Sequence, residues 1–367
     1  MMDRIKLLAD ARELTPGRMT GIGRVLSGLI QALAGSHLVA ELGLAVFDGG
    51  PDSDELNNCK KIRFIRLPRN FVNSEKRLSH LTRQNFQLFL SPYPKLPLFG
   101  SFCPSINMIH DILDLLHPAY RRRLRGRFDR YRVKSALKRA DLTWYDSKSS
   151  LQQTEALFGY SGGRPRVRYP GICQRFSPRQ GNDGDILGQY HLERGYILIM
   201  GNGRPHKNLG ILLELSRQLK RKLVFTGVPQ QNMTYWRAKV PHATASWIPH
   251  VAERDIAAVI RGAFCLAQPS TAEGYGYPPL EAMACGIPTV VSNIPVLTET
   301  TGNTALTADF DKPQAWLESF AALENNDFYA AQVEKGLKWV EPMRGPKGWA
   351  KHIADILEVV GSYSDSN

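Results

Sequence analysis

The sequence lacks several features, and each absence removes a class of protein. No run of about 18 apolar residues occurs, so no membrane-spanning helix is expected. Residues 1–14 intersperse Asp3, Arg4, Lys6, Asp10, Arg12 and Glu13 among apolar positions, which leaves no signal-peptide core and points to a cytoplasmic protein. Cysteine is scarce and scattered: Cys59, Cys103, Cys173, Cys265 and Cys285 form no C-x-x-C pair and are odd in number. Neither a disulfide framework nor a structural zinc site is suggested, and a reducing compartment fits. There is no low-complexity tract and no repeat of solenoid period.

What is present begins with length. A chain of 367 residues exceeds what one core usually serves, so two domains are expected. The net charge of +13 is uneven. Residues 1–178 hold 29 Lys and Arg against 15 Asp and Glu, while the remainder holds 18 against 19. The densest stretch runs from Arg121 to Arg139, with ten basic residues, one acid (Asp129), and Leu124, Phe128, Tyr131 and Leu137 at roughly helical spacing. A solvated helix face, an anionic membrane surface, an acidic substrate or nucleic acid would each account for it. The nucleic-acid reading has no recognisable binding module behind it.

Short apolar runs alternate with amphipathic segments, the pattern of parallel sheets covered by helices. Strands are expected at 5–9, 105–109 and 142–145, then at 196–200, 222–226, 264–268 and 289–292, with helices near 24–33 and 209–219. A segment rich in Gly, Pro and Asn at 162–184 reads as a hinge, which gives domains of 1–178 and 179–345. Residues 346–367 form a last helix with an apolar face at Ile353, Ile356 and Val359, expected to pack back on the first domain.

The strongest local signal is EGYGYPPLEAMACG, from Glu273 to Gly286. It predicts a glycine turn, then a helix with proline in its first turn and glycine past its end. Free N–H groups and the positive dipole end beside Gly274 and Gly276 suit an anion such as a diphosphate. Glu281 lies about one turn in, placed for ribose hydroxyls, and Glu273 precedes the glycines. Alone, these residues fit a plain turn and a dipole-complementing carboxylate equally well.

Glu273 and Glu281, seven residues apart within EGYGYPPLEAMACGIPTVVSN, resemble the E-x7-E signature of the retaining glycosyltransferases of family four, and the likeness extends along nearly the whole chain. The resemblance implies an α/β protein of the GT-B fold: two Rossmann-like doubly wound domains facing across a cleft, the first for the acceptor and the second for the nucleotide-sugar donor. By the same resemblance, Arg204 and Lys207 in Gly203-Arg-Pro-His-Lys-Asn208 hold the donor diphosphate, with Asn208 suited to cap the next helix. Gly274, Tyr275, Gly276, Glu281, Pro249, His250, Val251 and Ser292 wall the donor pocket, and Glu273 acts on the sugar. Gly21 and Gly23 match the glycine loop on the acceptor side, and His110 with Asp111 match a His-Asp step whose histidine reaches the donor sugar. Tyr275 stands where the family more often has Phe.

The implied reaction is a metal-independent, retaining hexosyl transfer that needs no cofactor. The first expectation is mannose from GDP-mannose to a lipid-linked or oligosaccharide acceptor, as in lipopolysaccharide and other surface polysaccharide synthesis. A UDP-glucose-type transferase of the same fold is the alternative, and a basic nucleic-acid-binding protein the alternative from another class. The expected partners are the nucleotide sugar, the saccharide acceptor and an anionic membrane surface reached through the basic run, which would make the protein peripheral on the inner face. Three D-x-D triplets, at Asp52 with Asp54, Asp183 with Asp185 and Asp309 with Asp311, are read as loop acids rather than metal ligands.

Overall fold

The computed structural model describes residues 4–15, 20–47, 56, 58–84, 86–117, 120, 123–178 and 182–364. Arg121, Arg122, the triplet at Asp52 and the expected domain start at 179 lie outside them. Two compact units are present, residues 1–171 with 345–367, and residues 172–344. The segment 172–178 thus goes with the second unit, before the boundary expected near Pro178. Its local bonds explain this: Ile172 N donates to the Met343 carbonyl at 2.7 Å, and Arg261 Nη1 donates to the Ser177 carbonyl at 3.2 Å.

The first unit is a seven-stranded parallel sheet. Its strands are β1 (Ile5–Asp10), β2 (Val39–Val46), β3 (Ile62–Arg66), β4 (Leu88–Ser91), β5 (Ser105–Ile109), β6 (Leu142–Tyr145) and β7 (Pro165–Val167), in the order β3-β2-β1-β4-β5-β6-β7. The second unit has six: β8 (Tyr196–Met200), β9 (Leu223–Thr226), β10 (Ala245–Ile248), β11 (Ala263–Gln268), β12 (Thr289–Ser292) and β13 (Leu306–Ala308), in the order β10-β9-β8-β11-β12-β13. Both are doubly wound, with strand order reversing once, between β1 and β4 and between β8 and β11. Strands such as YILIM and LFLS are buried throughout, because helices cover a parallel sheet on both faces and leave no room for polar alternation. In the second unit Leu209, Leu212 and Leu213 pack with Phe225, Trp236 and Trp316 in one buried cluster.

The last helix, Ala350–Ser364, belongs to the first unit and is tied to it by two carboxylates, Asp355 and Glu358, the second paired with Arg166 at 2.8 Å. Asp355 accepts from the Trp144 indole at 2.8 Å and from Arg168 Nε at 2.7 Å, and it also pairs with Arg166. Its buried face holds Ile356 and Val359, and Trp349 just before it fills the space that a Cβ at Gly28 or Gly171 would need. Among the described residues no helix is long and apolar enough to cross a membrane.

Candidate donor site at the second switch point

In an open parallel sheet the crevice at the carboxyl ends of the strands, where the order reverses, is the place for a ligand. In the second unit that place lies beyond Met200 of β8 and Gln268 of β11. The loops that follow, 201–208 and 269–276, carry eight of the residues singled out from sequence: Gly203, Arg204, Lys207, Asn208, Glu273, Gly274, Tyr275 and Gly276. The loops are joined by Thr271 N donating to the His206 carbonyl at 2.8 Å.

At their junction Lys207 Nζ lies 2.6 Å from Glu273 Oε1, with side chains only 15% and 10% exposed. Gln268 Nε2 and Ser270 Oγ each donate to the same oxygen at 2.5 Å. Burial opposes ionisation of Glu273, but the Lys207 charge and the hydrogen bonds from Lys207 and Ser270 outweigh it, so the carboxyl is held below its usual range. Sequence reading assigned Lys207 to the diphosphate and Glu273 to the sugar; the structure bonds the two to each other. The roles remain compatible. An ammonium has three protons, and Glu273 Oε1 takes one, fixing the position of Lys207 while leaving donors for an anion.

Glycine backbone geometry shapes the turns on either side of this pair. Gly276 is the N-cap of helix Tyr277–Ala284 at φ 91°, and no side chain caps that end. A Cβ at Gly276 would sit 2.5 Å from Leu297, so only glycine allows this entry. Gly203, at φ 66°, is equally constrained by Val228 at 2.8 Å. Two residues of helix Gln230–Lys239, which carry no motif, hold this loop: Trp236 Nε1 donates to the Gly203 carbonyl at 3.0 Å and Asn232 Nδ2 to the Asn202 carbonyl at 2.7 Å. With both carbonyls engaged from behind, the loop is fixed with its polar backbone oriented. Gln268, Asn232 and Trp236 were missed by sequence reading, and only Gln268, a polar end to the apolar run AFCLAQ, offered a signal.

The remaining donor-side residues line the same sheet edge. Glu281 is 1% exposed in the glycine-entered helix, and Ser292 ends β12, its buried hydroxyl without a hydrogen-bond partner in the structure. Pro249, His250 and Val251 follow β10, two strands from β8, with His250 exposed. Asn208 departs from expectation. It stands at φ 50° before helix Leu209–Leu215 without a side-chain cap bond, and its amide instead donates to the Phe310 carbonyl at 2.7 Å.

In the first unit, Gly21 and Gly23 open helix Gly21–Gly35, where the Thr20 hydroxyl caps Gly23 N at 3.0 Å. His110 follows β5, and its ring is engaged on both sides: Nδ1 lies 2.6 Å from Asp146 and Nε2 2.9 Å from the Pro92 carbonyl. Both partners are acceptors, so both nitrogens must donate. Burial opposes the charge, yet Asp146, the Pro92 carbonyl and Asp111 outweigh it and hold the imidazolium above histidine's ordinary range. The ring expected to reach a sugar is thus bonded within its own unit, and Asp111 caps Leu113 N at 2.9 Å.

Two of the triplet acids have ion-pair partners: Asp183, which opens helix Asp183–Gln189 rather than lying in a loop as expected, pairs with Arg261 at 2.6 Å, and Asp309 pairs with Lys312 at 2.7 Å. No group of three or more potential metal-ligating side chains occurs among the described residues.

Two doubly wound parallel units in one chain, with the structural neighbours given below, place the fold in the GT-B class of α/β proteins. Residues 189–339 match the family model described as glycosyl transferases group 1. The O-antigen chain mannosyltransferase B of Escherichia coli is 27% identical over 318 residues, covering 79% of this chain and 83% of the relative. Among solved structures, Anabaena HepE in complex with UDP-glucose superposes with a TM-score of 0.77 at 15% identity, covering 96% of this chain and 99% of that one. The sucrose-phosphate synthase of Thermosynechococcus elongatus gives 0.76 at 14%, covering 98% and 100%.

Proposed function

We propose that this chain transfers a hexose, mannose in the first instance, from a nucleoside-diphosphate sugar held on the second unit to a saccharide acceptor in surface polysaccharide synthesis. The observation that carries the donor site is the buried Lys207–Glu273 pair beside the glycine-capped helix start at the switch point of the second sheet. The match of residues 189–339 to the group 1 glycosyl transferase model and the mannosyltransferase relative support the reaction class. The UDP-glucose held by the Anabaena neighbour supports a UDP-sugar as the second reading of the donor.

The chemistry follows from where charge develops. As the bond to the leaving diphosphate breaks, negative charge grows on the phosphate oxygens and positive charge on the sugar ring. Arg204, Lys207 and the N–H groups near Gly276 are preorganised for the first, and the Glu273 carboxylate suits the second. Lys207, fixed by Glu273, and Arg204 in the same loop do the work that a metal does elsewhere, which supports a metal-independent reaction. In this reading the acceptor hydroxyl attacks on the face that the diphosphate leaves, and the donor configuration is retained. We place the acceptor on the first unit and the protein in the cytoplasm, with a lipid-linked acceptor as the substrate form.

A panel of GDP-, UDP-, ADP- and dTDP-sugars tests this. The correct nucleotide at 100 times its dissociation constant should add about 2.7 kcal/mol of apparent stability, and an α-linked NMR product should form from an α-donor with chelator present. Stabilisation by none of them, or a β-linked product, would contradict the reading.

A further inference from the structure

The helix Arg123–Arg139 and the helix Phe71–Leu81 share a buried anchor and an exposed face. Arg132, alone buried among the described cations at 127–138 of the first helix, donates to Glu75 of the second at 2.8 Å. That bond fixes the helices side by side, and Phe71 meets Phe128 edge to face with ring centroids 6.3 Å apart. On the outer side Phe71, Val72, Phe128 and Tyr131 are 47%, 45%, 42% and 61% exposed. Large apolar side chains gathered in this way carry a solvation cost that isolated ones do not. Around them stand exposed Arg127, Arg130, Lys134 and Lys138, with Lys76 and Arg77 on the neighbouring helix, against the single acid Asp129.

We propose that this two-helix face docks the protein on an anionic lipid surface, with the aromatic cluster entering the interface and the cations meeting the headgroups. Charge complementarity selects the occupant. A second copy of the chain would bring like charges together, which excludes self-association through this face. Single-stranded nucleic acid needs parallel aromatic faces for stacking, whereas Phe71 and Phe128 close on each other edge to face. Lipid headgroups satisfy both components, since aromatics partition to the interface and each basic residue near the surface adds attraction.

Flotation of the full chain with vesicles tests this and requires no sugar transfer, so its outcome is separate from that of the proposed reaction. Vesicles of phosphatidylcholine with phosphatidylglycerol should carry the protein at low salt, and vesicles of phosphatidylcholine alone should not. Lys134→Gln with Lys138→Gln should lower partitioning roughly 30-fold, about fivefold for each charge. Phe128→Ser with Tyr131→Ser should lower it about tenfold or more, including the part that resists salt. All four positions are exposed, so far-ultraviolet dichroism should be unchanged; single Lys134→Gln and Tyr131→Ser variants serve if a double variant unfolds. Equal flotation with both vesicle types, no effect of either pair, or binding to polyuridylate in place of vesicles would overturn the proposal.

Discussion

The two units share a strand order through six strands but treat their switch points differently. In the first, the carboxyl end of β1 enters a closed ionic lattice. Arg12 forks onto Asp10 at 2.8 and 2.6 Å and reaches Glu75 at 2.9 Å, while the other Glu75 oxygen accepts from Arg132 and from Leu98 N at 2.9 Å. Each of these charges has its partner in the protein. In the second, one ion pair stands beside a helix start that no side chain caps, and Lys207 keeps donors in reserve. A common topology therefore fixes where a ligand can sit, and the side chains at that place decide whether charge is spent on the fold or kept for a substrate.

The comparison breaks most severely at Glu75. Glu75→Ala should leave the buried Arg132 guanidinium without its carboxylate and Arg12 with Asp10 alone, and destabilise the first unit by about 3–5 kcal/mol, seen as a fall in its unfolding transition. Nucleoside-diphosphate affinity on the second unit should stay unchanged. The converse substitution, Glu273→Gln, keeps the size of the side chain and should cut turnover by about 10²–10³-fold while the melting temperature moves far less. Equal effects of the two variants on stability would erase the distinction.

Acid should separate the units as well. His352 is buried between Trp144 and Trp349 with neither ring nitrogen hydrogen-bonded, and burial pushes its pKa down to about 3. The unfolded chain binds a proton there near pH 6.5 and the folded one does not, so stability falls as pH drops from about 6.5 toward 3. Replacement by Phe should move the acid unfolding of the first unit to lower pH, followed by near-ultraviolet dichroism. His110 acts in the opposite sense: its raised pKa contributes stability below about pH 6.5 that is lost as pH climbs through the folded value.

The smallest effect is expected at the support of the donor loop. Trp236→Phe removes one bond to the Gly203 carbonyl, worth about 0.5–1.5 kcal/mol, and should weaken nucleotide binding up to about tenfold by calorimetry with turnover falling in parallel.

Much of this was legible beforehand. The alternation of apolar runs specified parallel sheets, because strands buried on both faces must be apolar throughout, and EGYGYPPLEAMACG marked its own turn, helix start and stop. What stayed hidden depends on distance in the chain. Nothing near Glu75 signals Arg12, 63 residues away, or Arg132, 57 away. Arg132 read as one more member of a solvated run, yet it is the member that holds the helix down. Asn208 looked like a cap by residue type, but its left-handed backbone turned the amide toward Phe310. His110 matched a motif by neighbours, whereas Asp146 and Pro92, which occupy its ring, lie on other segments.

The central claim is that the switch point of the second unit holds the donor diphosphate through Lys207. Calorimetric titration of GDP and UDP into the wild-type chain and the Lys207→Ala variant, with dichroism confirming that both are folded, tests it most directly. The account predicts that the preferred nucleotide binds the variant about 1.5–3 kcal/mol more weakly, the range for hydrogen bonds to charged groups; an affinity unchanged by the substitution would contradict it.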